Sequence, residues 1–156
     1  MNDAQDRGVV MREVSRETHA AYRATAYHVA TPAGDVVLRI GEGCAWVREA
    51  LLVHADHAAG AMFITAWNPY SVVCDEAVNV AANARLESAL RTQGLTVWPG
   101  VGVSADGAWR EPSVLAMPVT RAEAEAWCRA TDQNAVVFVA RDGVPELLFH
   151  PDVRLA

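Results

Sequence analysis

The stretch AMFITAWNPYSVVCDEAVNVAANARLESALRTQGLTVWPG, residues 61–100, decides the fold class of this chain. Its apolar run at 61–67 has strand length and ends on the turn pair Asn68-Pro69. Asp75 stands where a helix N-cap belongs. The longest helical pattern follows, over about 76–93, and stops at Gly94, the usual residue just past a helix end. A strand pattern resumes at Leu95. Strand, helix and strand in immediate succession read as α/β.

Reading outward, the same succession recurs at 113–119, 121–131 and 135–140, with Thr120-x-x-Glu123 as a capping box. Hairpins are expected at Tyr27–Ala30 with Val36–Ile40 around TPAGD, across Ser104–Ala108, and around Arg141-Asp-Gly143. Ser15 caps a short helix at 16–24, and a further helix is expected near 45–58. The predicted order is α-ββ-α-β-α-ββ-α-ββ. It describes one α/β domain over 15–156 after a flexible tail at 1–14. Three main helices should cover a mixed parallel and antiparallel sheet of about six to seven strands, with the parallel pairs made by helical crossovers.

A chain of 156 residues is one domain's length, and 52% hydrophobic with 21% charged residues is globular rather than disordered. The net charge of −6 excludes a generic binder of phosphate backbones. All thirteen basic residues are Arg, a compositional bias that says little about partners. Cys44, Cys74 and Cys128 form no C-x-x-C pair and suggest no disulfide framework. No apolar stretch reads as a signal peptide or membrane span, so the expected address is the cytoplasm, with neither membrane nor nucleic acid as partner.

Several motifs fail on context. Gly41-Glu-Gly43 lies between strand and helix, but Trp46 replaces the third glycine of a dinucleotide fingerprint and Glu42 would face the pyrophosphate. Gly100-Val-Gly102 has no helix after it. His54 and His57, three apart on the expected helix, lack a third metal ligand. No metal and no cofactor is expected.

Polar residues that interrupt apolar patterns carry more. Asn79 and Asn83 lie on the helix line continued by Leu86 and Leu90, at the end beside Asn68-Pro-Tyr-Ser71. An exposed face would carry better helix formers than Asn. With period two, Trp109, Glu111 and Ser113 share a strand face with Leu115 and Met117, provided Pro112 does not break the phase. An acid on an apolar strip beside an indole should have a raised pKa. Gln133-Asn134 is a third amide pair at an element boundary. Each cluster on its own can simply tie down loop backbone, as most buried polar side chains do. Two of them border the carboxyl end of a strand or the loop after it, where α/β sheets bind ligands.

These residues resemble an uncharacterised bacterial family known only as a domain of unknown function. Its marks are an aromatic-rich start, Thr-Ala-x-Asn-Pro-x-Ser, a helix Asn, Trp-x-Glu and Gln-Asn-Ala. Here they stand as Thr65-Ala66-Trp67-Asn68-Pro69-Tyr70-Ser71, Asn79 or Asn83, Trp109-Arg110-Glu111 and Gln133-Asn134-Ala135. The resemblance implies grouping and no particular chemistry.

Two functions compete. One is a small-molecule site for a polar ligand, lined by Asn68, Ser71, Asn79, Asn83, Trp109 and Gln133, with Glu111 as candidate general acid–base. The alternative is a non-catalytic protein-interaction module whose polar motifs only fasten loops. A concave polar pocket containing Glu111 favours the first, and Asn68, Asn79 and Glu111 are expected to open on one cleft; a flat Trp-rich patch with amides fastening loops favours the second.

Overall fold

A computed structural model describes residues 11–156. The chain runs through β1 (Arg12–Val14), α1 (Arg16–Ala24), β2 (Ala26–Thr31), β3 (Gly34–Leu38), α2 (Ala45–Leu51), β4 (Gly60–Ile64) and α3 (Glu76–Thr92). It continues with β5 (Thr96–Val103), β6 (Arg110–Val119), α4 (Arg121–Ala130), β7 (Ala135–Val139), β8 (Pro145–Phe149) and β9 (Val153–Leu155). Two helix starts use the side chains expected of them. Ser15 accepts from the Thr18 N–H, and Thr120 and Glu123 form the reciprocal capping box. Asp75 is at the N-cap of α3 but makes no side-chain bond there.

Seven strands form one sheet in the order β3-β2-β5-β6-β4-β7-β8, and every neighbouring pair is antiparallel. The single α/β domain is as expected and so is the element order apart from the added β1 and β9, but the parallel neighbours within this sheet are not. β4 and β5 run in the same direction with β6 between them; β6 and β7 do so with β4 between them. The physical reason is the hairpin β5–β6, an unbroken ladder from Thr96↔Met117 to Val103↔Arg110. It holds β6 against β5 and leaves its other edge to β4. From β4 to β7 the chain is therefore a split β-α-β-β-α-β unit of the ferredoxin-like kind. The β2–β3 hairpin extends one edge and β8 the other.

The only parallel pairing among the described residues joins β1 to β9 in a separate two-stranded sheet. Residues 12–14, expected in the flexible tail, thus form a paired strand, with Val14 only 3% exposed. Three residues are too few for periodicity to reveal. The first ten residues of the expected tail lie outside the described residues.

β4 is buried at every position, which explains its unbroken apolar run. Ala61 and Phe63 enter one core with Val29, Leu38, Leu115, Met117, Val137 and Val139, closed by Val47 and Leu51 of α2. Met62 and Ile64 enter the other, under Leu86 and Leu90 of α3 and Ala124 and Cys128 of α4. The helix expected over 45–58 ends at Leu51. Arg141 donates to the carbonyls of His54 and Asp56, and the Asp56 carboxylate accepts from the Ala58 N–H, so these groups serve a turn instead of a helix. His54 and His57 consequently share no helix face.

α1 buries none of its residues and stands beside the end of the α2-side sheet face that α2 leaves open. Along β6 that face runs Glu111, Ser113, Leu115, Met117. The last two belong to the core under α2, and the first two line a cavity. Pro112 leaves the phase intact: it pairs with Val101 of β5 and lies beyond Val114, the last residue of β6 opposite β4. Gly100 is required opposite this site. A Cβ there would lie 2.6 Å from the His28 carbonyl oxygen and 2.7 Å from the Phe63 ring.

Candidate functional site

β4 stops at Ile64 because side chains take over its backbone bonds. Thr65 Oγ1 donates to the Pro112 carbonyl, and the Asn83 carboxamide oxygen accepts the Ala66 N–H at 2.7 Å. Asn83 Nδ2 donates to the same Pro112 carbonyl. One turn earlier on α3, Asn79 and Asn68 interlock. Asn79 Oδ1 accepts the Asn68 N–H at 2.9 Å, and Asn79 Nδ2 donates to Asn68 Oδ1 at 2.7 Å. Asn68 Oδ1 also accepts the Cys74 N–H. Both asparagines are buried and every bond runs to protein, so the pair fastens the loop.

The fastened loop is strained. Asn68, Tyr70 and Ser71 have φ of 44°, 55° and 62°, and a non-glycine residue in that region costs roughly 1–2 kcal/mol. Asp132, itself at φ 52°, offsets part of this. Its carbonyl accepts the Tyr70 N–H at 2.7 Å and its carboxylate accepts the Tyr70 hydroxyl at 2.5 Å. The Arg12 guanidinium sits 3.4 Å above the Tyr70 ring. The outcome is a defined position for Ser71, whose Oγ lies 2.9 Å from the Tyr22 hydroxyl of α1. Asn134 donates to both. Ser71, Tyr22 and Asn134 tie α1 to the loop at the edge of the cavity.

The cavity holds about 280 Å³ between α1 and the sheet, close to the lower end of the ~300–1,000 Å³ usual for small-molecule sites. Tyr22, Tyr27, Phe63 and Trp109 supply aromatic walls, with Val137 and Leu147 among the aliphatic ones. Tyr27 and Phe63 meet edge to face at 5.2 Å. The Tyr27 hydroxyl is spent on the Tyr22 carbonyl at 2.6 Å, so Tyr27 offers its ring.

Glu111 is the carboxylic acid of this lining, which contains no Arg or His among the described residues. Its Oε2 accepts the Trp109 indole N–H at 3.2 Å; its other oxygen has no protein partner among the described residues. Burial pushes its pKa up from the ordinary 4.5 to about 7, with the indole hydrogen bond pulling the other way. A carboxyl group poised there can hold or release a proton near neutral pH. Hydroxyl nucleophiles are not set against it: Ser113 Oγ donates to the Glu111 backbone carbonyl.

Of the candidate residues, Glu111, Trp109, Ser71 and Gln133 line one cavity. Asn68, Asn79 and Asn83 do not line it, and the expectation that Asn68, Asn79 and Glu111 share a cleft fails. The reason is that α3 packs on the opposite sheet face, so its amides reach only the loop that leaves β4. Gln133 is buried and also serves structure, donating to the Trp67 and Thr131 carbonyls. Tyr22, Tyr27 and Phe63 were missed. Tyr27 and Phe63 sit in apolar strand patterns that signal core, and no sequence signal separates core from cavity wall. Tyr22, on a polar helix, was findable as an aromatic without a buried stripe to join.

Among the described residues, no helix is long and apolar enough to cross a membrane. No curated protein and no solved structure matches this chain. Residues 64–136, which run from the end of β4 into β7 and carry the strained loop, α3, the Trp109–Glu111 pair and Gln133, match the model of the family described as Protein of unknown function (DUF3293).

Proposed function

We propose that this chain is a small-molecule-binding domain whose ligand enters the cavity between α1 and the sheet and meets Glu111 at its polar end. The observation that carries this reading is the unpartnered oxygen of Glu111 in a largely apolar cavity. A structural carboxylate would be expected to fill its hydrogen bonds from protein, as the carboxamide oxygens of Asn68 and Asn79 do. A carboxylate only partly filled and partly desolvated, with an oxygen open to the cavity, is the pattern of a group waiting for a ligand. Its raised pKa also equips Glu111 to pass a proton to a bound substrate.

The three free cysteines support a cytoplasmic address. The net charge of −6 speaks against nucleic acid as partner. The interaction-module alternative has less support: Trp46 and Trp98 pack edge to face at 5.3 Å beside the α2 core, and Trp109 is engaged with Glu111.

The test is a thermal-shift screen of a metabolite library against the native chain and Ala21→Trp. Ala21 is exposed on α1 yet lines the cavity, so the indole fills the site without disturbing the sheet. A ligand at 100 Kd adds about 2.7 kcal/mol, or roughly 5–10 °C, to the native chain. Hits lost in Ala21→Trp support the reading; hits that all survive the substitution, or none at all, overturn it.

A further inference from the structure

We infer that the cavity is built for a small organic cation, an amine or quaternary ammonium with a compact apolar body. The inference rests on the binding reading above and names its ligand class.

Three features of the lining converge on it. Among the described residues, the ionisable groups that face the cavity are Glu111 from β6, Tyr22 from α1 and Tyr27 from β2, and none of the lining is Arg or His. An anion would find no opposite charge there, only a carboxyl group and π-faces. Four aromatic side chains, Tyr22, Tyr27, Phe63 and Trp109, come from a helix, two strands and the residue just before β6 to wall one small volume. Ring quadrupoles attract cations, and an aromatic enclosure with a carboxylate is the general means of holding ammonium groups. Finally, the second oxygen of Glu111 is an acceptor without a donor among the described residues. An ammonium supplies either the donor or, when fully alkylated, the charge alone.

An uncharged ligand makes a different demand. It brings no charge to offset that of a desolvated carboxylate, so ionisation of Glu111 gains it nothing and its affinity would stay level or fall as pH rises through the Glu111 pKa. A cation needs Glu111 ionised, so its affinity rises over the same range. Burial holds that pKa at about 7; of the other titratable groups named, burial pushes Tyr27 up as well, which keeps it neutral. Between pH 6 and pH 8 the ionised fraction of such a group grows about tenfold.

The experiment follows the Trp109 indole N–H by NMR during titration with choline and benzylamine. Their uncharged counterparts, 3,3-dimethylbutan-1-ol and benzyl alcohol, are titrated alongside. Choline carries no titratable proton, so its pH dependence reports on the protein. The expected result is that both cations bind at least tenfold tighter than their counterparts at pH 8. Choline's affinity should rise about tenfold from pH 6 to pH 8 in the native chain and stay flat in Glu111→Gln. Ala21→Trp should abolish the response of the indole to all four. If the uncharged compounds bind as tightly as the cations, the cation inference is overturned while the cavity remains a binding site. If none of the four moves the indole signal, the inference is likewise overturned, and the library screen decides the binding reading by itself.

Discussion

Two polar clusters flank the chain where it leaves β4, and they resolve their hydrogen bonds in opposite ways. On the α3 side, Asn68 and Asn79 are 5% and 2% exposed, and their carboxamides serve each other and the loop backbone. On the α1 side, Glu111 accepts one indole bond and keeps an oxygen facing open space. Both clusters look alike as interruptions of an apolar pattern. What separates scaffold from site is whether the partners are already present in the protein.

The sharpest way to break this comparison is Asn79→Leu. Leucine has the better helix propensity, by a few tenths of a kcal/mol. It also leaves the buried Asn68 N–H without an acceptor and removes a donor from Asn68 Oδ1. The expected loss is about 3 kcal/mol, measured as a lower urea midpoint at unchanged slope. A neutral or stabilised variant would mean that Asn79 meets water, and it would then return to the list of site residues.

Glu111→Gln should move stability the other way. A carboxyl group whose folded pKa is raised binds its proton more tightly in the folded state, so ionisation penalises folding. That penalty is absent below about pH 4, grows between 4.5 and about 7, and is complete above. Glutamine keeps an acceptor for the Trp109 indole and never ionises. The variant should therefore be more stable than the native chain by on the order of 1–3 kcal/mol at pH 8, with the difference vanishing near pH 4. Denaturation midpoints of the two proteins across pH 4–8 test this. Parallel curves would place Glu111 in water and remove the contrast with Asn79.

How much of this was legible in the sequence follows from what each pattern encodes. The helix 76–93 was read to within one residue of α3, because its apolar line and Gly94 are local signals. The face shared by Glu111, Ser113, Leu115 and Met117 was also legible, since a strand's period is local. Strand neighbours were not. Whether β5 pairs with β4 or with β6 depends on which edge the β5–β6 hairpin occupies, and no residue in residues 61–100 carries that. The Asn79 and Asn83 reading failed for the same reason: a helix line tells which residues point inward, not which sheet face the helix covers. α2 ended early because Arg141, far along the chain, binds the His54 and Asp56 carbonyls. The parallel β1·β9 pair joins the two ends of the described chain, the longest-range contact of all.

The smallest expected effect comes from the network that ties α1 to the loop. Tyr22→Phe removes a hydroxyl that contacts Ser71 Oγ at 2.9 Å and accepts from Asn134 at 3.2 Å. By bond count this resembles the Asn68–Asn79 pair, yet Ser71 is exposed and Tyr22 and Asn134 are only half-buried. Water can replace the lost hydroxyl at this edge, as it cannot beneath α3, so no donor or acceptor is left without a partner. The expected cost is about 0.5 kcal/mol, several-fold below that of Asn79→Leu. The phenyl ring remains a wall of the cavity, so the affinity for choline should stay within about twofold of the native value, about 0.4 kcal/mol or less. Urea midpoints and the indole titration read both quantities on one variant. A loss near 3 kcal/mol would show this edge closed to water and make α1 as much scaffold as the Asn68–Asn79 pair.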